Sequence, residues 1–493
     1  MSELAVGTRA SAQRGLGTPW LALGATVVAA AIAVPVAQLP LKGMIVVVGA
    51  AALAAALVLV RDRAVAVLFM LAASVQFMFH KSLGPIAREV SGGAQSIYVT
   101  STDVLLLLLF ALWLLEGTLW RELRAALGTR TFVIPAVAIA LTVPSVLVAR
   151  DLSLAVGELT RMSWMYLLFV YVALKVRTPR TLAFVIAGLL VLALTQSALV
   201  VAQWRTGSSL GLSFLGEESE LGVRTLDDGE IPRPTGTATH ADFLVSMLVP
   251  IGLLALSLAI NLRRGWYRLA CLAAACAAFA PIAISQTRAA AVGAAVAISL
   301  IGVVSLARGR LPWRVLWASL AVVALGAAIY WDEIQRRVID NLGTAQFQKE
   351  IASRVELNDT ALLIASEHPV LGIGLNNFEQ VLDRYDVYGL IFFDNPVHNL
   401  YLLVLSETGL VGLAGLVLMA GLAVRVAVRL SAVRDRLLSA VGLGLLATLV
   451  FFGIEEILTF ALRHDMPLAI LWLLLGLGVA CLRMDRARTL ETA

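Results

Sequence analysis

Charged residues are scarce in this chain. Only 14% of its 493 residues are Asp, Glu, Lys or Arg, whereas 60% are hydrophobic, and the mean hydropathy is +0.88. A soluble globular domain usually carries about 25% charged residues, so this composition argues against a soluble protein. It predicts a polytopic membrane protein instead.

The chain has few cysteines and lacks a common nucleotide-binding motif. The three cysteines lie in or beside apolar runs and have neither metal-ligand spacing nor the pattern of a disulfide framework. No Gly-x-x-x-x-Gly-Lys motif occurs, which argues against ATP hydrolysis within the chain. The acidic stretch Asp227-Asp228-Gly229-Glu230 has no second cluster with ligand spacing after it, so we interpret it as solvated. We therefore expect neither a metal nor ATP to be required.

The apolar runs predict an all-α protein with about 14 transmembrane helices. The first run follows Arg9 and Arg14 but is long and lacks a convincing cleavage site, so we expect a retained helix. The third run is short for a span. The runs lie at roughly 17–38, 43–60, 64–79, 98–116, 131–149, 160–174, 181–203, 241–260, 269–286, 289–307, 314–331, 398–424, 437–461 and 465–482.

Basic residues predict the orientation of these helices. Alternate loops are rich in Arg and Lys, and such loops stay in the cytoplasm. We therefore expect both termini to be cytoplasmic. The basic loops are those around Arg61, Arg124, Lys175, Arg263, Arg308, Arg434 and Arg486.

This orientation divides the chain into three parts. Residues 1–331 hold eleven predicted helices and the outer loop 204–240. Residues 332–397 form a long, partly helical outer loop, in which a helix is predicted over about Ser353–Glu367 because Pro369 follows. Residues 398–493 hold the last three helices and a cytoplasmic tail.

The start of the twelfth run places a histidine at the mouth of a helix. Pro396 suits the first helical turn, and Asp394 or Asn395 could cap it. His398 would then lie in the first turn, where the helix dipole disfavours the imidazolium and leaves the ring able to accept a proton. The alternative is a histidine that only forms structural hydrogen bonds.

Several charges lie in or beside apolar runs. Arg233 and Arg288 are expected at the membrane boundary, where each could bind a phosphate or carboxylate or serve as a snorkelling anchor. Glu407 lies nine residues after His398 in the same run, so the two should point to opposite sides of one helix. An intramembrane carboxylate needs a partner, and we expect Glu407 to hold an arginine or cap a backbone group. Glu455 and Glu456 pose the same question without an assignment.

Four segments in this order resemble the O-antigen ligase and O-antigen polymerase superfamily. The resemblance covers about 200–430, and the first 200 residues match only as membrane helices. Ala238-Thr239-His240 replaces the Asn-rich continuation of that family's Arg-x-x-Gly segment. The segments are Arg233-Pro234-Thr235-Gly236-Thr237, Ser285-Gln286-Thr287-Arg288-Ala289, Arg354 with His368-Pro369-Val370-Leu371-Gly372-Ile373-Gly374-Leu375-Asn376-Asn377-Phe378, and His398-Asn399-Leu400-Tyr401 with Glu407-Thr408-Gly409-Leu410-Val411-Gly412.

The resemblance implies a GT-C-like glycosyltransferase of surface polysaccharide biosynthesis in the plasma membrane. Such an enzyme takes a glycan from a polyprenyl diphosphate, such as undecaprenyl diphosphate, on the outer face. The acceptor is the lipid A core of lipopolysaccharide, a second lipid-linked glycan or a protein. It needs neither metal nor ATP, and it binds membrane lipids but no nucleic acid. Ligase and polymerase differ only in the acceptor, and we favour a ligase.

The resemblance also implies roles for individual residues. His398 would be the general base and Arg288 a second catalytic residue. Arg233, Arg288 and Arg354 would bind the diphosphate, which no metal would assist. The supporting residues would be Asn399, Tyr401 and Glu407.

Two other classes of protein are open at this stage. A transporter would show inverted repeats and charges near the middle of the membrane, whereas here the polar residues concentrate at the outer edge and no internal repeat is evident. A purely structural scaffold would have no need for Glu407 and the boundary arginines, which are costly to place in or beside a membrane.

Overall fold

A computed structural model describes residues 62–77, 80–82, 93–94, 98–226, 229–262, 265–314, 345–385 and 396–492. The predicted runs 17–38 and 43–60 lie outside these residues, as does nearly all of 314–331. Ala64–Ala493 form one compact unit, to which the following description applies.

Helices make up most of the described chain, as predicted. They are α1 (Arg63–Ser74), α2 (Ser101–Leu115), α3 (Leu119–Leu127), α4 (Arg130–Ala140), α5 (Val143–Val146), α6 (Leu152–Lys175), α7 (Pro179–Thr206), α8 (Ala241–Asn261), α9 (Gly265–Ile284), α10 (Arg288–Ala307), α11 (Ala345–Glu367), α12 (Phe378–Tyr385), α13 (Leu400–Ser431), α14 (Arg436–Glu455) and α15 (Asp465–Thr492). Short 3-10 turns cover Ser213–Leu215 and Ala461–Arg463.

Two short antiparallel strand pairs accompany the helices and were not predicted from the sequence. β1 (His80–Ser82) pairs with β2 (Tyr98–Thr100), and β3 (Gly222–Leu226) pairs with β4 (Gly229–Arg233) between α7 and α8. Only two residues separate β3 from β4 along the chain, which is the loop length of the commonest β-hairpins.

Seven of the described helices are long and apolar enough to cross a membrane: α7, α8, α9, α10, α13, α14 and α15. An eighth span results if α2 and α3, which are bent by 106°, cross together. The runs at 64–79 and 131–149 form only the shorter helices α1 and α4–α5. The protein is thus a helical polytopic membrane protein, but the prediction of fourteen spans is not confirmed.

Basic loops that are distant in sequence meet at one end of the helices. Arg310 donates to Asn261 Oδ1 (2.6 Å) and Ser439 Oγ (3.0 Å), which joins the ends of α8 and α10 to the start of α14. Arg488 pairs with Asp435 (2.6 Å), which brings the end of α15 to the same place. We call this the basic end. Its residues come from loops that the sequence analysis assigned to one side of the membrane.

The segments that resemble the family motifs meet at the other end of these helices. Arg233, at the end of β4, donates to the carbonyl of Ser285 (3.1 Å), between α9 and α10. The N–H of Leu400, the first residue of α13, donates to the carbonyl of Glu456 (2.9 Å), just after α14. We call this the motif end. It holds the ends of β4, α9 and α14 and the starts of α8, α10, α13 and α15.

Helix α13 is broken at Gly409, whose φ of 62° and ψ of −166° are not helical. The break frees backbone groups, and the segment 369–374 supplies their partners. The four hydrogen bonds run from Ile373 N to Ser406 O (3.0 Å), Gly374 N to Glu407 O (2.9 Å), Leu410 N to Pro369 O (2.8 Å) and Val411 N to Val370 O (3.3 Å).

Two glycines permit this docking. A Cβ on Gly409 would lie 2.3 Å from the carbonyl carbon and oxygen of Val370, and one on Gly372 would lie 2.3 Å from the carbonyl carbon of Glu407. Both glycines also have a positive φ, which side chains rarely adopt. The glycines of two separate motifs are therefore required by a single contact.

We predict that Gly409→Ala lowers the free energy of unfolding by about 2 kcal/mol or more, because it adds backbone strain and a clash with Val370. The measurement is the melting temperature of the purified protein in detergent. Gly453→Ala is the matched control, since no atom lies within 4 Å of the position of its added Cβ. Equal melting temperatures for the two variants would contradict the role of the break.

Candidate active site

The cap of α13 lies later than predicted. The side chain of Asn399 accepts hydrogen bonds from the N–H groups of Tyr401 (3.0 Å) and Leu402 (3.1 Å), so Asn399 is the N-cap. His398 precedes the helix, and its prediction in the first turn behind Pro396 is wrong. Proline has no side-chain acceptor, so the amide of Asn399 determines where the helix begins.

The two candidate capping residues Asp394 and Asn395 lie outside the described residues. So does the pair Asp227 and Asp228 of the acidic stretch.

His398 lies in a cluster of rings drawn from three segments. Its imidazole stands edge-on to Phe460, with ring centroids 5.1 Å apart. Phe460 lies 5.9 Å from Phe243, which stacks on His464 at 3.3 Å and lies 5.4 Å from His240. We call these five residues the aromatic cluster. It gathers three histidines at the motif end, of which the sequence analysis singled out only one.

Two of these histidines are in surroundings that favour the neutral ring. Burial, and then the positive charge of Arg161, holds the pKa of His464 well below its ordinary value. Burial also lowers the pKa of His240; Asp242 opposes this and Arg233 adds to it. At neutral pH, rings of this kind are uncharged and can accept hydrogen bonds.

The two boundary arginines belong to segments in direct contact. Arg233 forms an ion pair with Asp242 (2.8 Å) in addition to its bond to Ser285. The hydroxyl of Ser285 donates to the carbonyl of Pro234 (2.8 Å), so the two motif segments are joined twice. Arg288 begins α10 three residues after Ser285, and both terminal nitrogens of its guanidinium are buried.

Arg354 reaches the motif end from α11. Its guanidinium donates to the carbonyl of Leu458 (3.1 Å), in the connection between α14 and α15. Helix α11 starts eight residues earlier than predicted and ends at Glu367 as predicted. Of its apolar positions, Ala361, Ile364 and Ala365 are buried, whereas Leu362 is exposed.

Tyr401 and Glu455 tie helices together at the motif end. The hydroxyl of Tyr401 donates to the carbonyl of Gly453 (3.1 Å), which links α13 to α14. The carboxylate of Glu455 accepts from the hydroxyl of Ser246 (2.6 Å), which links α14 to α8. Glu456 accepts from the N–H of Leu462 (3.0 Å), so it holds the connection to α15 in place.

Glu407 lies in a buried ion network. Its carboxylate is 3.2 Å from the guanidinium of Arg463 and accepts a bond from the N–H of Phe378 (3.2 Å). Glu407 therefore both holds an arginine and binds a backbone group, and both parts of the prediction are confirmed. Arg463 also donates to Asn376 (2.7 Å) and lies 3.4 Å from Glu158.

The network continues into α6 and α15 through residues that the sequence analysis did not single out. Glu158 forms an ion pair with Arg161 (2.5 Å), and Arg161 lies 3.4 Å from Asp465. The side chains of Glu158 and Arg161 are at most 5% exposed. The signal for both was available: two charges three residues apart, in or beside the apolar run 160–174.

Most of these features lie in a stretch of the chain that matches a known protein family. Residues 272–417 match the family described as O-antigen ligase. They include Arg288, Arg354, His398 and Glu407 and the docking of 369–374 on α13. This part of the chain is therefore similar to the O-antigen ligase family.

The match spans less than a third of the 493 residues and leaves Arg233 and the aromatic residues around 460 outside it. A comparison with curated proteins found no match. Two residues outside the match contact residues inside it: Arg233 donates to the carbonyl of Ser285, and Phe460 contacts His398.

We predict that Glu407→Gln and Arg463→Gln each lower the free energy of unfolding by about 3–5 kcal/mol, because each removes an ion-pair partner from a buried charge. The double variant should cost less than the sum of the two, since it removes both charges. Melting temperatures in detergent measure this. Arg434→Gln, at an exposed position, is the control, and strict additivity would contradict the coupling.

Proposed function

We propose that the protein transfers a glycan from a polyprenyl diphosphate carrier to an acceptor hydroxyl, as an O-antigen ligase-like glycosyltransferase of surface polysaccharide biosynthesis. The observation that carries the proposal is that Arg233, the start of α10 with Arg288, Arg354 and His398 all lie at the motif end. The family match supports the class of reaction. A polymerase of the same family would use the same donor chemistry with a glycan acceptor.

The proposed orientation follows from the separation of the two ends. Loops rich in arginine remain in the cytoplasm, so the basic end would face inward and the motif end outward, in a plasma membrane with both termini inside. The donor would reach the motif end from the outer leaflet.

In the proposed reaction, negative charge develops on the leaving diphosphate and the acceptor hydroxyl loses a proton. The acceptor oxygen attacks the anomeric carbon, the bond from that carbon to the diphosphate breaks, and the electron pair leaves with the phosphate oxygen. Arg288 would stabilise the charge that develops there, with Arg233 and Arg354 binding the rest of the diphosphate. Because these arginines supply the positive charge, we expect transfer to require neither ATP nor a metal.

The second charge is the proton of the acceptor. His398 would take this proton as the oxygen attacks. General-base catalysis of this kind raises a reaction rate by about a hundred- to ten-thousand-fold. The start of α13 just after His398 favours a neutral ring there, because the positive end of the helix dipole disfavours the imidazolium. Asn399, Tyr401 and Glu407 would support the base and α13 without touching the reacting atoms.

Deletion of the gene in the native host tests the proposal. Surface glycan should be lost while the lipid-linked glycan accumulates on the outer leaflet. Accumulation on the inner leaflet would indicate a transporter instead, and unchanged surface glycan would contradict the proposal. Single repeat units in place of long chains would indicate a polymerase.

We predict that Arg288→Ala abolishes transfer in a membrane assay with lipid-linked donor. Arg288→Lys should recover only part of the activity, because a point charge replaces a planar fork that binds two oxygens. Arg434→Ala, at the basic end, is the control for loss of an arginine. Normal transfer by Arg288→Ala would make Arg288 a snorkelling anchor.

We predict that His398→Ala reduces the turnover rate at least about a hundredfold and leaves donor binding nearly unchanged, because the base acts on the acceptor. The rate is measured at saturating donor, and binding separately with labelled donor. His368→Ala provides a matched control at an exposed histidine of the same chain. If both variants turn over like the wild type, His398 is a structural residue.

A further inference from the structure

A groove opens at the basic end, on the side of the molecule opposite to the motif end. Helices α3, α4, α13 and α15 line it, and its volume is about 560 Å³. This is the size of a pocket that binds a small molecule. The proposed transfer reaction does not use the groove.

Arginines surround one part of this groove. Arg130, Arg425, Arg429 and Arg486 line it and are exposed. Within the described residues, none of these four side chains is recorded in an ion pair. The acidic side chain in the lining, Glu122, already pairs with Arg177. The groove therefore has an excess of positive charge.

The groove is polar at one end and apolar at the other. On α13 its lining residues follow one face of the helix, from Val417 and Leu418 through Gly421 to Arg425 and Arg429. At 1.5 Å per residue, the stretch from residue 417 to residue 429 is about 18 Å long. The walls near its apolar part include Phe132, Ile134, Val479 and Leu482.

We propose that this groove binds an anionic glycerophospholipid of the membrane. The phosphate would lie between the guanidinium groups, which match its geometry, and an acyl chain would follow the apolar face of α13. A soluble anion would need the arginines but not the apolar wall that continues beyond them along α13. A neutral lipid would leave the arginines without a counter-charge. Basic pockets between membrane helices are suited to acidic headgroups.

Gly421 offers a way to test the acyl-chain position without changing any charge. It lies between the apolar and charged parts of the groove, and no atom lies within 4 Å of where its Cβ would be. The backbone there is helical, so a larger side chain is compatible with it. Gly421→Trp should therefore fill the groove from one wall.

The experiment measures the melting temperature of the full-length protein in neutral detergent as dioleoylphosphatidylglycerol is added. We expect a saturable rise of about 2 °C or more, because a ligand that binds the folded state stabilises it. Dioleoylphosphatidylcholine should give no saturable rise. Arg425→Gln with Arg429→Gln, and separately Gly421→Trp, should abolish the response to the anionic lipid.

Arg434→Gln is the control, because it removes one positive charge from the loop after α13 but does not line the groove. It should respond like the wild type. The proposal is overturned if both lipids give the same rise, or if the double arginine variant responds like Arg434→Gln. Should Gly421→Trp fail to fold, these two comparisons still decide, and native mass spectrometry of bound phosphatidylglycerol gives a second readout. None of these outcomes depends on glycan transfer.

Discussion

The docking of segment 369–374 on the break at Gly409 is the contact on which the rest of the motif end depends. Inside a membrane, backbone groups released by a broken helix must find partners within the protein, because each unsatisfied group costs several kcal/mol. Here one segment supplies all four partners. It follows α11 directly and precedes Phe378, whose N–H binds Glu407. The break thus holds α11, with Arg354, against the helix that begins just after His398.

The buried ion network extends this constraint to the last two helices. Glu407 and Glu158 share Arg463, which stands just before His464 and α15. A buried ion pair adds little stability compared with apolar packing, but loss of one partner is costly. Its effect is therefore on geometry: it sets the position of the connection between α14 and α15. That connection carries Phe460, the neighbour of His398.

The sequence predicted those features of the fold that depend on residues close together in the chain. The end of α11 at Glu367 follows from Pro369, and the need of Glu407 for a partner follows from its place in an apolar run. The identity of that partner could not be predicted, because Arg463 lies 56 residues away and no spacing rule links the two. The predicted start of α13 is wrong because Pro396 is a strong helix signal in the sequence. The capping by the Asn399 amide depends on side-chain geometry, which the sequence does not show. The gathering of three histidines likewise arises only when distant segments pack together.

The arginines at the two ends of the molecule differ in their surroundings, and this difference suits different chemistry. At the motif end, Arg233 is held by Asp242 and by the carbonyl of Ser285. In the proposed transfer, such a cation would already be oriented when charge develops on the leaving group, so no reorganisation would be needed. At the basic end, Arg425 and Arg429 are exposed on one face of α13. Exposed cations of this kind suit orientation in the membrane and the proposed lipid binding, but they lack the fixed partners that would orient them toward a developing charge.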